Sequence, residues 1–267
     1  MAADDVTSSL SFFLIHTNMF ISDDRLQLHH FHHLSQLRGF THFITPLDVS
    51  DNTPLGPHNR RAIAQHLGFA ESAFLIPRQV HGSAISIVNH SSPRQAPPAD
   101  TFHLLPSDAL LTTSSDLCLM VLTADCVPIL LCDPTTNCIG VVHAGWRGTA
   151  ASIARIAISS MVDTFHSNPS DILVGLGPCI GPCCFEVGPD VASQLGHEFL
   201  APHSTPSHLF IDLRAANVSQ LLASGIPLHN IEVADICTSC STFPSHRRDK
   251  AASRLGTAIL RPSSPHS

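Results

Sequence analysis

The chain lacks several features that would have fixed its class outright. No apolar run is long enough to cross a bilayer: the most apolar stretch, residues 117–132, carries Asp125 in its middle and falls short of the roughly 20 residues a spanning helix needs. There is no basic excess either, since 14 Lys and Arg face 21 Asp and Glu for a net charge of -7. That balance argues against sequence-independent binding to nucleic acid, which needs a basic face to replace phosphate counterions. No repeat period is visible. The apolar stretch at residues 10–15 is too short for a signal core and lacks its basic flank, so no targeting segment is expected. With 43% hydrophobic and only 13% charged residues over 267 positions, the composition is that of a soluble globular protein. One domain over residues 1–267 is expected, with residues 1–10 and 262–267 as loose ends. The nine cysteines are odd in number and follow no secretory signal, which points to reduced thiols in the cytoplasm.

Along the chain, 11–21 and 39–45 read as strands around a histidine group, His29, His30, His32 and His33, which is taken as a polar, partly exposed segment. Residues 59–67 read as a helix closed by Gly68. Residues 74–76, 84–88 and 108–113 read as strands, with a Pro- and Ser-containing loop at 91–100. Two apolar runs, 117–123 and 138–143, flank a buried strand at 128–133. Residues 149–165 have helical periodicity directly behind Trp146-Arg147-Gly148, and the amino end of that helix would favour an anion. Further strands are expected at 172–176, 209–212, 231–235 and 257–260, and helices at 190–199 and 213–224. Irregular alternation of strands and helices implies an α+β fold, a layered α/β sandwich with mixed sheets and not a regular doubly wound sheet.

The chemistry concentrates at residues 117–150. His81, Cys126 and His143 each lie beside a small residue in strand-like surroundings, a set that suits a tetrahedral ion with three protein ligands and one open position. The same Cys126 and His143 would also make a thiolate–imidazolium pair, with Asp125 orienting the ring, for amide hydrolysis. A dyad does not need His81; an open metal site does. Elsewhere, Cys237-Thr238-Ser239-Cys240 has redox or zinc-ribbon spacing, and Cys179, Cys183 and Cys184 form a second group. These five read as a structural zinc site or as small residues in tight turns. Between 245 and 261, Arg247, Arg248, Lys250, Arg254 and Arg261 face one acid, Asp249, as a solvated tail or an anion site.

Four blocks carry a resemblance. Arg78-Gln79-Val80-His81-Gly82, Thr123-Ala124-Asp125-Cys126-Val127-Pro128, residues 142–148 (VHAGWRG) and residues 177–188 (GPCIGPCCFEVG) resemble the successive signatures of the laccase-domain family. This is the multicopper polyphenol oxidase or peptidoglycan editing factor family, which includes purine nucleoside phosphorylases. Matches continue through Asp212-Leu213, Ala215-Ala216-Asn217, Cys237-Thr238, residues 243–249 and Arg254, covering roughly 74–260.

The resemblance implies the laccase-domain (cytotoxic necrotizing factor-like) architecture. It also implies a zinc-dependent enzyme that phosphorolyses adenosine, inosine and methylthioadenosine and deaminates adenosine, with purine nucleosides and inorganic phosphate as its partners. By motif, His81, Cys126 and His143 correspond to the family's zinc ligands. Copper is the alternative, but multicopper oxidation needs several centres and many His ligands, and the signature blocks supply two His and one Cys. Arg147 is the candidate for binding an anion, Asp125 for a supporting or proton-carrying role, and Trp146 and Phe185 for stacking on a purine or packing in the core. One departure stands out. The family's Arg-Gly-Gly-x-Ser segment corresponds here to residues 42–52, HFITPLDVSDN, without the Arg or the Gly pair, which implies altered substrate use, reduced activity or a non-catalytic relative.

Overall fold

The apolar runs of the sequence become the strands of two seven-stranded sheets. The computed structural model describes residues 16–17, 19–50, 55–91, 103–250 and 253–263. With strands numbered in chain order, the first sheet runs β1 (His16–Thr17), β15 (Ile231–Ala234), β12 (Leu173–Leu176), β10 (Val127–Asp133), β11 (Cys138–Ala144), β8 (Ala109–Thr112) and β6 (Ile85–Ile87). The second runs β2 (Phe20–Asp23), β3 (Leu28–His30), β4 (Thr41–Thr45), β16 (Leu255–Leu260), β9 (Cys118–Thr123), β5 (Phe74–Arg78) and β7 (His103–Pro106). Both sheets are mixed: β10 pairs antiparallel with β11 and β12, while β12 and β15 run parallel, as do β5 and β9.

Burial on both faces explains why β10 and β11 read as continuous apolar runs rather than alternating ones. Leu130, Cys132, Ile139 and Val141 point between the sheets, against Leu119, Val121 and Ile259 of the second sheet. Ile129, Leu131, Val142 and Ala144 point the other way, against Ile153, Ala157, Ile158 and Met161 of helix Ile153–Phe165 and Val218 and Leu221 of helix Leu213–Ala223. On the far side of the second sheet, Phe43, Met120 and Ala258 meet Ile63 and Ala64 of helix Leu55–Leu67. The result is a helix, sheet, sheet, helix sandwich. Each fully buried leucine, such as Leu130, contributes about 1.5–3 kcal/mol, so the sheet edge that carries the chemistry is anchored on rigid ground.

Gly68, with φ +75°, ends helix Leu55–Leu67 as expected. The helix behind the Trp-Arg-Gly stretch differs from expectation. Trp146–Ala150 is itself a short helix, and Ser152, at φ +61°, breaks the chain before helix Ile153–Phe165 begins. Residues 190–199 are likewise split, because Gly196 at φ +110° separates helix Pro189–Leu195 from a 3-10 turn at His197–Phe199. The strand expected at 11–21 appears in its described part as β1 and the start of β2, while β3, helix His32–Ser35, strand β7 and helix His246–Asp249 add elements beyond those expected. Of the ends expected to be loose, 1–10 and 262–267, all but residues 262 and 263 lie outside the described residues, as do residues 11–15, most of the loop at 91–100 and residues 51–52.

Candidate metal centre

The register of the central hairpin builds the site. β10 and β11 pair with Val127 opposite Ala144, which leaves Cys126 and Gly145 adjacent just past the sheet edge, with His143 one residue inside it. His81 arrives on the connection from β5 of the second sheet to β6 of the first. The ligand atoms of His81, Cys126 and His143 all lie within 4.8 Å of one another. The two rings meet edge to face, with centroids 4.8 Å apart. Gly145 keeps the space clear: a Cβ there would lie 3.1 Å from Cys126 Sγ and 3.3 Å from His81 Cδ2.

A residue that sequence reasoning missed holds this group together. Asp108, fully buried at the start of β8, places Oδ1 2.8 Å from His143 Nδ1. The same oxygen accepts the His81 N–H at 2.9 Å, and Oδ2 accepts the Gly82 N–H at 2.7 Å. The Asp108 carbonyl accepts the His143 N–H at 2.7 Å. One carboxylate thus fixes both the His143 ring and the turn that carries His81, whose φ is +61°. With Nδ1 engaged, Nε2 of His143 is left to face Cys126. The only trace of this role in the sequence is an acid opening an otherwise apolar strand.

Asp125 does something else. Its Oδ1 accepts the Thr238 hydroxyl at 2.6 Å, its Oδ2 accepts the Arg247 N–H at 2.6 Å, and its carbonyl accepts the Ile180 N–H at 2.9 Å. It joins three chain segments, and the acid that orients the His143 ring is Asp108, not Asp125. The same site opens into a cavity of about 640 Å³. Arg78, Arg147, Arg247 and Arg254 line it together with Trp146 and Phe185. Arg147 lies over the Trp146 ring at 4.3 Å, and Arg247 donates to the Cys184 and Glu186 carbonyls at 3.1 and 3.0 Å. Helix Trp146–Ala150 is too short to offer the expected helix-end anion site, so guanidinium groups supply the positive charge. Trp146 and Phe185 line the cavity and also pack against the outer core.

Residues 38–261 match the family described as multi-copper polyphenol oxidoreductase laccase. The chain belongs to this family. It is similar to the purine nucleoside phosphorylase YlmD of Geobacillus stearothermophilus, 38% identical over 80% of this chain and 81% of the relative. It is also similar to the adenosine deaminase RL5 of an unknown prokaryotic organism, at 32% identity over 76% and 80% of the two chains. The crystal structure of YlmD from Geobacillus stearothermophilus superposes with a TM-score of 0.76 at 33% identity, covering 84% of this chain and 93% of the other.

In this member of the laccase family Cys126 and His143 perturb one another strongly. Burial pushes the Cys126 thiol up, but hydrogen bonds and charge from His143 and His81 outweigh it and bring the pKa down to about 6. Burial pushes His143 down, and the bonds to Asp108 and Cys126 raise it to about 9. For Asp108, burial raises the pKa, yet the bonds from His143, Gly82 and His81 leave it below the usual value. A thiolate beside imidazole nitrogens is what a soft divalent ion takes as ligands. Among the described residues one other His/Cys group could share an ion, Cys183, Cys184, Cys237 and Cys240. The histidines at 29–33 form none. No helix of the described residues is long and apolar enough to cross a membrane.

Proposed function

We propose that this chain is a zinc-dependent purine nucleoside phosphorylase that also deaminates adenosine. The observation that carries the reading is a single cavity in which the His81, Cys126 and His143 ligand set faces four guanidinium groups and two aromatic rings. A phosphate needs the first kind of wall and a purine the second. The relatives named as purine nucleoside phosphorylases and as an adenosine deaminase support the same classes of substrate. Two imidazoles and one thiolate suit one tetrahedral zinc with an open position better than a set of coppers, and ligand atoms within 4.8 Å of one another are close enough to share one ion. Bound there, zinc would supply Lewis acidity and activated water, the latter being what attack at C6 of adenosine requires.

The protein's own groups perform the rest. For phosphorolysis, Arg147 with Arg78, Arg247 and Arg254 would hold the phosphate below C1′ of the sugar, against the positive charge that develops there as the base departs. Trp146 and Phe185 flank the space for the base. Asp108 keeps His143 in one tautomer, and Asp125 acts as a positioning residue through Thr238 and the Arg247 backbone. Adenosine, inosine and methylthioadenosine are the proposed substrates, in a cytoplasmic, one-domain enzyme. The test is product identification from adenosine, with and without phosphate, on protein of measured zinc content. Adenine and ribose 1-phosphate are expected with phosphate, and inosine without it; no turnover of any purine nucleoside would overturn the reading.

One observation favours a second reading. Cys126, His143 and Asp108 form a thiol, imidazole and carboxylate chain with the thiol brought down to about 6, the arrangement of a cysteine-dependent amidase. In that case Cys126 would attack an amide carbonyl of a peptidoglycan-type precursor, and His81 would be dispensable.

A further inference from the structure

A second group of cysteines, Cys183, Cys184, Cys237 and Cys240, meets outside the centre just described. Cys183 and Cys184 lie in a tight turn in which the Cys184 N–H donates to the Gly181 carbonyl at 3.0 Å. Cys237 and Cys240 bracket the 3-10 turn Thr238–Cys240, where the Cys240 N–H donates to the Cys237 carbonyl at 3.2 Å. A bond from the Thr238 N–H to the Cys179 carbonyl, 2.9 Å, sets one turn against the other. All four sulfurs lie within 4.8 Å of one another, and Cys240 Sγ is 3.3 Å from Cys184 Sγ and 3.6 Å from Cys183 Sγ.

Four thiolates about 2.3 Å from a tetrahedral zinc stand about 3.8 Å apart, close to the spacing found here. The surroundings also suit a charged sulfur cluster. The Gly181 N–H donates to Cys237 Sγ at 3.2 Å, a bond that favours thiolate over thiol. Arg247 bonds the Cys184 carbonyl at 3.1 Å, placing a positive charge beside the cluster, and Arg248, paired with Asp249, bonds the Thr238 carbonyl at 2.8 Å. Gly181 leaves the room the sulfurs occupy, since a Cβ there would lie 3.3 Å from Cys183 Sγ and 3.2 Å from Cys237 Cβ.

We infer that Cys183, Cys184, Cys237 and Cys240 form a second, closed zinc site. The ion replaces the thiol protons, which leave to solvent, and no electron moves. With four protein ligands the site has no position for substrate. Its effect is mechanical: it fastens the turn leading to Phe185 onto the segment that carries Thr238 and Arg247, the two residues that hold the Asp125 carboxylate. The inference is independent of the reaction assigned to the first centre.

The test uses the full chain carrying Cys126→Ser, which disables the first centre so that remaining metal is counted separately. After zinc loading and gel filtration, elemental analysis should find one zinc per chain, and none when Cys184→Ser and Cys240→Ser are added. Should the added changes prevent folding, the Cys126→Ser protein itself gives a second readout. Cys183 and Cys240 are exposed, so alkylation followed by peptide mapping should spare them in zinc and modify them after chelation. The cobalt-loaded protein should show intense sulfur-to-metal charge-transfer absorption. Absence of zinc from the Cys126→Ser chain, equal alkylation with and without zinc, or a Cys184–Cys240 disulfide in the native protein would each overturn the inference.

Discussion

The two sulfur-bearing clusters of this chain are built in opposite ways. Cys126 and His143 stand at the ends of strands buried along their whole length, His81 joins them on an exposed turn, and a fully buried carboxylate holds both the His143 ring and that turn. Cys183, Cys184, Cys237 and Cys240 come from two turns, with two of the four exposed. The first group offers three donors of two kinds with open space in front; the second offers four donors of one kind. Three ligands leave room for chemistry and four close an ion off. Rigid support and an open position therefore go together here, and turns suffice where the ion only has to tie segments together.

The contrast can be broken most severely at Cys126. Cys126→Ser removes a ligand of the proposed zinc centre, and nucleoside turnover should fall by more than about a hundredfold. Steady-state assays with product identification check this. Asp108→Asn comes next. It keeps the shape but replaces the carboxylate that fixes the His143 ring and takes the Gly82 N–H, so zinc affinity or turnover should fall about 10- to 100-fold, with a stability loss of about 1–3 kcal/mol. Metal-competition titration and denaturant unfolding separate those two effects. Gly145→Ala tests the open space beside the ligands. A Cβ at 3.1 Å from Cys126 Sγ forces a shift of a few tenths of an ångström, for which a loss of up to about tenfold in turnover is expected.

A change away from both clusters sharpens the comparison by leaving their chemistry alone. His42, buried on β4, accepts the Phe31 N–H at Nε2, 2.8 Å away, and its ring meets His30 edge-on at 5.2 Å. Burial and the nearby His30 push its pKa from 6.5 down to about 3. Below 6.5 the unfolded chain takes up a proton that the folded chain refuses. The stability involved is therefore complete above 6.5 and is lost as pH falls towards about 3, on the order of a few kcal/mol. Denaturant midpoints measured from neutrality into mild acid should show this slope, and His42→Gln should flatten it.

What the sequence made legible follows from how each feature is buried. β10 and β11 could be read because both faces are covered and the apolar run is unbroken. The layered sandwich followed from the irregular alternation of strand and helix signals. The break at Ser152 was not legible, since a serine at φ +61° carries none of the glycine signal that usually marks a left-handed residue. The meeting of His81 with Cys126 and His143 was suggested by their donor types at the ends of apolar runs and by motif resemblance, not by spacing, because residues brought together from two sheets leave no period in the sequence. Asp108 left almost no trace: a single acid at a strand start reads as an ordinary boundary. The cysteine pairs were the reverse case, visible as 183/184 and 237/240 in the chain, while their mutual approach needed the fold. The basic stretch at 245–261 was half legible. Arg247 and Arg254 reach the cavity, while Arg248 pairs with Asp249 and Arg261 bonds the Thr113 carbonyl.

His81 is the one member of the first group that a metal centre needs and a cysteine nucleophile does not. The decisive measurement is zinc content and adenosine turnover on the same preparation of His81→Ala, beside alkylation of Cys126 in metal-free protein. A metal centre predicts that the variant loses the zinc of the first site and its turnover together. Wild-type turnover in His81→Ala with its zinc unchanged, and inactivation of metal-free protein by alkylation at Cys126, would contradict it and assign the chemistry to the Cys126, His143 and Asp108 chain.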